Sequence, residues 1–233
     1  MTDNMQQMLK RLLVAIVFSI AFAYVESAVV VYLRAIFHPD GFTFPMRAFD
    51  LTAQGRRLLL TEIGREAATL VLILAAAWLF GANRQQRAAH LLIIFAVWDI
   101  SYYVWLKVLV NWPATLADWD ILFLIPVVWA SPFVYPVLVS LIMFAFGAAI
   151  LYRDARGWPL RVTWEDLFGW TAAATIIIVS FCLGGRRITE PDYADHFHPL
   201  LFAIGMIAGV LTCGRAMRRC PAQETALGPC DAT

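Results

Sequence analysis

Residues 12–36 read LLVAIVFSIAFAYVESAVVVYLRAI, and this run decides the fold. It holds only two charged side chains, Glu26 and Arg34. Roughly 20 consecutive apolar residues suffice for a helix to cross the ~30 Å hydrocarbon core of a bilayer. The run is too long for the core of a signal peptide and lacks a small-residue cleavage pattern, so it is expected to persist as a first span.

Working outward, the same test picks out further spans from about Leu58 to Phe80, Ala89 to Val110 and Phe133 to Tyr152. A fifth starts at the capping-box pattern Thr163 to Asp166 and ends near Leu183. A sixth runs from Pro199, in a favoured first-turn position, to Gly214-Arg215. The whole chain agrees, being 61% hydrophobic and 15% charged over 233 residues. Soluble domains carry about 25% charged residues. The expected fold is an all-α polytopic transmembrane bundle of about six spans. Residues 1–215 form the single transmembrane domain and residues 216–233 a flexible cytoplasmic tail.

Pro126, Pro132 and Pro136 interrupt the region before the fourth span. Interior prolines remove hydrogen bonds and kink a helix. A short interfacial or re-entrant helix is therefore expected around Ile121 to Ala130. Irregular backbone at membrane depth persists only where protein shields it or it lines a cavity.

Lys and Arg are enriched in cytoplasmic loops. One side collects Lys10, Arg11, Arg84, Arg87, Arg153, Arg156, Arg161, Arg215, Arg218 and Arg219, and the other Arg47, Arg56, Arg57, Arg186 and Arg187. This bias is expected to put both termini in the cytoplasm, across a cell (inner) membrane. Trp112, Trp119 and Trp129 would then lie near the outer interface.

An ionisable residue at the centre of a span costs roughly 2.5–3.5 kcal/mol on insertion scales and marks a candidate site. Glu26 lies mid-span in the first helix. Glu62 and Glu66, four apart, share one face of the second, with Arg65 between them. Asp99, Tyr103 and Lys107 fall at successive i+4 steps on the third. Asp118, Asp120, His196 and His198 sit at the rim on the same side. Four core carboxylates (Glu26, Glu62, Glu66, Asp99) face two cations, Arg65 and Lys107, so protons, a bound cation, Arg34 or water must meet the excess.

The pattern suggests a polar chamber open outward and closed inward, in which Glu26, Glu62, Glu66, Asp99 and Tyr103 are catalytic candidates. Arg65, Lys107 and Asp120 are substrate-binding candidates. A membrane-embedded enzyme acting on a lipid or other amphiphile leads. The alternatives are a proton- or cation-coupled transporter and a non-catalytic subunit or assembly factor of a membrane complex. The plainer reading of Glu62 with Arg65, or of Asp99 with Lys107, is a fastening between helices. It explains the surplus of acid less well.

A divalent metal at the carboxylate cluster is compatible with these residues. No histidine lies at mid-depth and no Glu-x-x-His pattern occurs, so haem is not expected. His196 and His198 are more simply solvated than ligating. The expected partners are membrane lipids. Gly205 and Gly209 form a small-xxx-small pattern suited to close helix packing, within the chain or with a second copy or partner subunit. A net charge of +1 without a basic stripe argues against nucleic acid. Cys182, Cys213, Cys220 and Cys230 form no CxxC pattern and suggest neither a zinc site nor a disulfide framework.

Overall fold

The computed structural model describes residues 3–39, 41–47 and 52–219. Six helices are long and apolar enough to cross a membrane: α1 (Asp3–Phe37), α2 (Ala53–Phe80), α3 (Arg84–Val110), α4 (Val134–Ala155), α5 (Trp164–Gly185) and α6 (Pro199–Arg218). The chain is a multi-pass integral membrane protein. Six spans return both ends of the described chain to one side, the termini end; the opposite end is the hairpin end. Residues 220–233, most of the expected tail together with Cys220 and Cys230, lie outside the described residues.

Local signals set the helix ends. The Thr52 side chain accepts from the Gly55 amide and starts α2; Asn83 does the same for α3 through Gln86. The Thr163–Asp166 capping box forms and starts α5. At the C-terminus of α3, Asn111 adopts φ 52°, a left-handed conformation that asparagine tolerates better than most residues.

One expectation is corrected. Residues 121–130 form no helix. Trp119–Phe123 (β1) pairs antiparallel with Trp129–Pro132 (β2), with Asp120 opposite Ser131 and Ile121 opposite Ala130. A short apolar run is ambiguous between strand and helix by periodicity alone. Pro126, which would break a helix, instead occupies the tip between the strands. Phe123, Leu124 and Ile125 of this hairpin line a cavity.

Two glycines seat this hairpin. A Cβ at Gly184 would collide with the Ala130 carbonyl, and one at Gly185 with the Val128 carbonyl. The end of α5 thus lies directly against β2. The Trp119 side chain packs inward. It is buried beside Phe44, Tyr193 and Phe197 in the apolar cluster that closes the hairpin end.

Helices α1 to α4 pack around α3, and α5 pairs with α6. Small residues set the close approaches. Gly147 of α4 lies against Ala89 and Ile93 of α3, and Gly205 of α6 against Ala173 and Ile177 of α5. The Gly205/Gly209 face is therefore the α5–α6 seam and is covered within the chain. By contrast, α2 does not pack against α5 or α6 over any length.

Candidate functional site

A cavity of about 1160 Å³ separates α2–α4 from α5–α6. Pockets that enclose small ligands are commonly ~300–1,000 Å³. On α3 its lining runs from Arg84 to Tyr103. At 1.5 Å per residue that is about 28 Å, close to the full hydrocarbon thickness. Most of this length is apolar, walled by Leu70, Leu91, Leu92, Phe95, Ile142, Phe146, Ala174 and Val210. Polar groups gather towards the hairpin end, and exposed Arg84 stands at the opposite end. Residues of α2, α5 and α6 line the cavity, and α2 forms no helix–helix seam with α5 or α6.

The polar part is built from five elements: α1, α2, α3, α4 and the hairpin. Arg65 on α2 bridges two acids. Its Nε donates to Glu62 Oε2 at 2.9 Å, its Nη2 to the other Glu62 oxygen, and its Nη1 to Glu26 on α1. Thr69, one turn further along α2, donates to Glu26 Oε2 at 3.1 Å. All three guanidinium nitrogens are thereby engaged.

Glu66 is held differently. It is 6% exposed, and its Oε2 accepts the Leu124 amide from the hairpin tip at 2.9 Å. Asp99 on α3 accepts from Ser140 Oγ of α4 at 2.8 Å. Neither carboxylate has an ion-pair partner among the described residues. Both line the cavity.

Asp120 joins α1 to the hairpin. Arg34 Nη2 lies 3.1 Å from Asp120 Oδ1, and Tyr102 donates its hydroxyl to Oδ2 at 3.3 Å. The Arg34 guanidinium is sandwiched between Phe42 and Trp112, 3.9 and 4.0 Å from the ring centroids. Burial pushes the Asp120 carboxyl up to about 6, against the opposing pull of Arg34. At the cavity mouth, burial with nearby Arg47 and Arg34 holds the His38 imidazole below its ordinary value. Burial raises the carboxyl of half-buried Asp118, but hydrogen bonds from Thr115 and the Ala114 amide together outweigh it and hold it below its ordinary value.

Glu26, Glu62, Arg65, Glu66, Asp99, Tyr103 and Asp120 thus all line one cavity. Tyr103 is buried against Tyr102, Phe133 and Trp112. Lys107 does not join them. It is exposed, and its ammonium donates to the carbonyls of Asn111 and Pro113, where it caps α3. The expected Asp99–Lys107 pairing is absent for that reason. His196 faces Asp192 at 3.4 Å on the surface, and His198 caps α6. Among the described residues, no three His, Cys, Asp or Glu side chains approach closely enough to share a metal ion.

Three contributors were not expected from sequence: Thr69, Ser140 and the Leu124 amide. Ser140 had a visible signal, as the one serine in the apolar run 133–152. Thr69 lies three residues after Glu66 and so belongs to the same face. The Leu124 amide had none, since its role depends on the hairpin.

At the termini end, polar contacts tie the helix ends together. Gln85 exchanges two hydrogen bonds with the Leu160 backbone, at 2.7 and 2.9 Å. Arg153 donates to the carbonyls of Met217 and Arg219. Fully buried Asp166 accepts from the Thr163 amide and hydroxyl, from Arg215 at 3.1 Å and from Arg219. Comparison with protein-family models, curated proteins and solved structures finds no match to this chain.

Proposed function

We propose that this protein is a membrane-embedded enzyme that takes an amphiphile from the bilayer and acts on its head group. The observation that carries the reading is the make-up of the cavity. Two carboxylates without counter-ions among the described residues, Glu66 and Asp99, line its polar part. The rest of its length is an apolar channel walled by α2 on one side and, on the other, by α5 and α6, which do not pack against α2. In this reading the chain of the amphiphile lies along α3 and its head meets the acids. Glu66 transfers the proton, Asp99 orients the head group, and Arg65 holds Glu26 and Glu62 in place. Acids in unlike environments suit division into proton donor and acceptor. The arginine and lysine bias supports both termini in the cytoplasm of an inner membrane, with the hairpin end outside.

The test begins by isolating the protein in lipid nanodiscs and identifying co-purifying amphiphiles and their altered forms by mass spectrometry. Glu66→Gln keeps an acceptor for the Leu124 amide. It is expected to retain the amphiphile while turnover falls by about 10²–10⁴-fold, the usual contribution of a general acid or base. Undiminished turnover in this variant would remove Glu66 from the mechanism.

A carrier is the second reading, favoured by a cavity that reaches from Tyr103 to Arg84. It requires the Gln85–Leu160 closure to open. Vesicles that pass neither amphiphile nor ion when loaded with the protein would count against it.

A further inference from the structure

The cavity's charge balance narrows the head group. Five carboxylates stand along its polar part, Glu26, Glu62, Glu66, Asp99 and Asp120, and the two guanidiniums deep among them are already engaged. Arg65 uses all three nitrogens on Glu26 and Glu62. Arg34 pairs with Asp120 through Nη2 and has an aromatic ring on each side, while its buried Nε has no partner among the described residues. Lys107 points elsewhere, and Arg47 at the mouth has interactions of its own.

A phosphate head would therefore meet deep guanidiniums that are each already paired with a carboxylate, and would bring more negative charge beside Glu66 and Asp99. Like charges juxtaposed in a binding site cost several kcal/mol and discriminate against the wrong ligand. A cationic head does the reverse. It supplies the counter-charge that two sequestered carboxylates lack, through charge-assisted hydrogen bonds. Glu66 is 6% exposed, yet its Oε1 has no partner among the described residues, which leaves that oxygen available to a ligand.

The neighbouring walls fit the same charge. Trp98 adjoins Asp99, Phe95 lies one turn before it, and the Phe123 and Trp129 rings meet at 5.4 Å beside the tip that binds Glu66. Aromatic faces attract cations, and more strongly when the pair is desolvated.

We propose that the site selects an amphiphile with an amine-bearing, cationic head over one with a phosphate head. This inference rests on the amphiphile reading above, and its test separates the two. Dodecylamine, dodecanol and dodecyl phosphate share one chain and differ only in the head. Each is titrated calorimetrically at pH 7 into the protein in zwitterionic nanodiscs, with empty nanodiscs subtracted.

Dodecylamine is expected to bind at least tenfold tighter than dodecanol, and dodecyl phosphate most weakly. In the double variant Glu66→Gln, Asp99→Asn the amine preference should collapse while dodecanol affinity holds, which also reports an intact cavity. Ala174→Trp, which fills the channel, should weaken all three ligands. Phosphate binding as tight as the amine, or amine and alcohol binding alike, overturns the head-group inference and leaves the amphiphile reading standing. A preference that survives the double variant overturns the assignment to Glu66 and Asp99. Failure of all three ligands to bind the native protein overturns both.

Discussion

Asp166 at the termini end and Glu66 towards the hairpin end are both buried acids near arginines, yet their surroundings differ. Asp166 accepts hydrogen bonds from Thr163 twice and from Arg215 and Arg219, so its charge is fully met by groups of the chain. Glu66 accepts one backbone amide, because the neighbouring Arg65 is consumed by Glu26 and Glu62. A completed cluster fastens α5 to α6, whereas an incomplete one beside a cavity leaves capacity for a ligand. The same residue types thus serve different ends according to whether the donors outnumber the acids.

Variants can break that contrast. The largest stability loss is expected for Asp166→Asn. Removing one partner of a buried ion pair costs roughly 3–5 kcal/mol, and thermal unfolding in mild detergent should show it. Glu66→Gln should move the same transition far less. If it proves equally damaging, Glu66 is a fastening residue and the contrast fails.

Next is the pH dependence through Asp120. Its folded value of about 6 lies above the ordinary 3.8, so the folded state holds the proton more tightly. Stability is then greatest below about 3.8 and falls as pH rises to about 6. The shift of roughly 2 units corresponds to at most about 3 kcal/mol. Unfolding measured across this range should slope downward, and Asp120→Asn should flatten that part of the slope.

A smaller loss of about 1–3 kcal/mol is expected for Gly185→Ala, the range for overpacking a tight contact. The new Cβ displaces the Val128 carbonyl and with it the hairpin tip on Glu66. Ligand affinity should fall along with stability. Lys107→Ala should change ligand affinity little and stability within about 0.5 kcal/mol, as for an ordinary surface site. A large loss of binding would bring Lys107 back into the site.

The six spans were legible because their apolar runs exceed what a bilayer requires, and Thr163 and Pro199 marked two starts correctly. The acids on α2 were legible from their spacing. The hairpin was not, because Ile121 to Trp129 suits either secondary structure and Pro126 rules out only a straight helix. Its pairing depends on Ala130 and Val128 meeting Gly184 and Gly185, some 55 residues later in the chain. Lys107 was misread for a related reason. Its i+4 spacing from Tyr103 is real, but α3 ends at Val110 and the nearby carbonyls of Asn111 and Pro113 claim its ammonium.

On the amphiphile reading, the unpacked flank between α2 and the α5–α6 pair changes what concentration means for this protein. A ligand entering there arrives from the lipid phase, so its occupancy follows its mole fraction among the lipids and not its amount in the surrounding buffer. Adding inert lipid should lower occupancy, while adding buffer should leave a strongly partitioned ligand nearly unaffected. Affinities measured for this cavity are two-dimensional quantities, comparable between preparations only at a stated lipid-to-protein ratio.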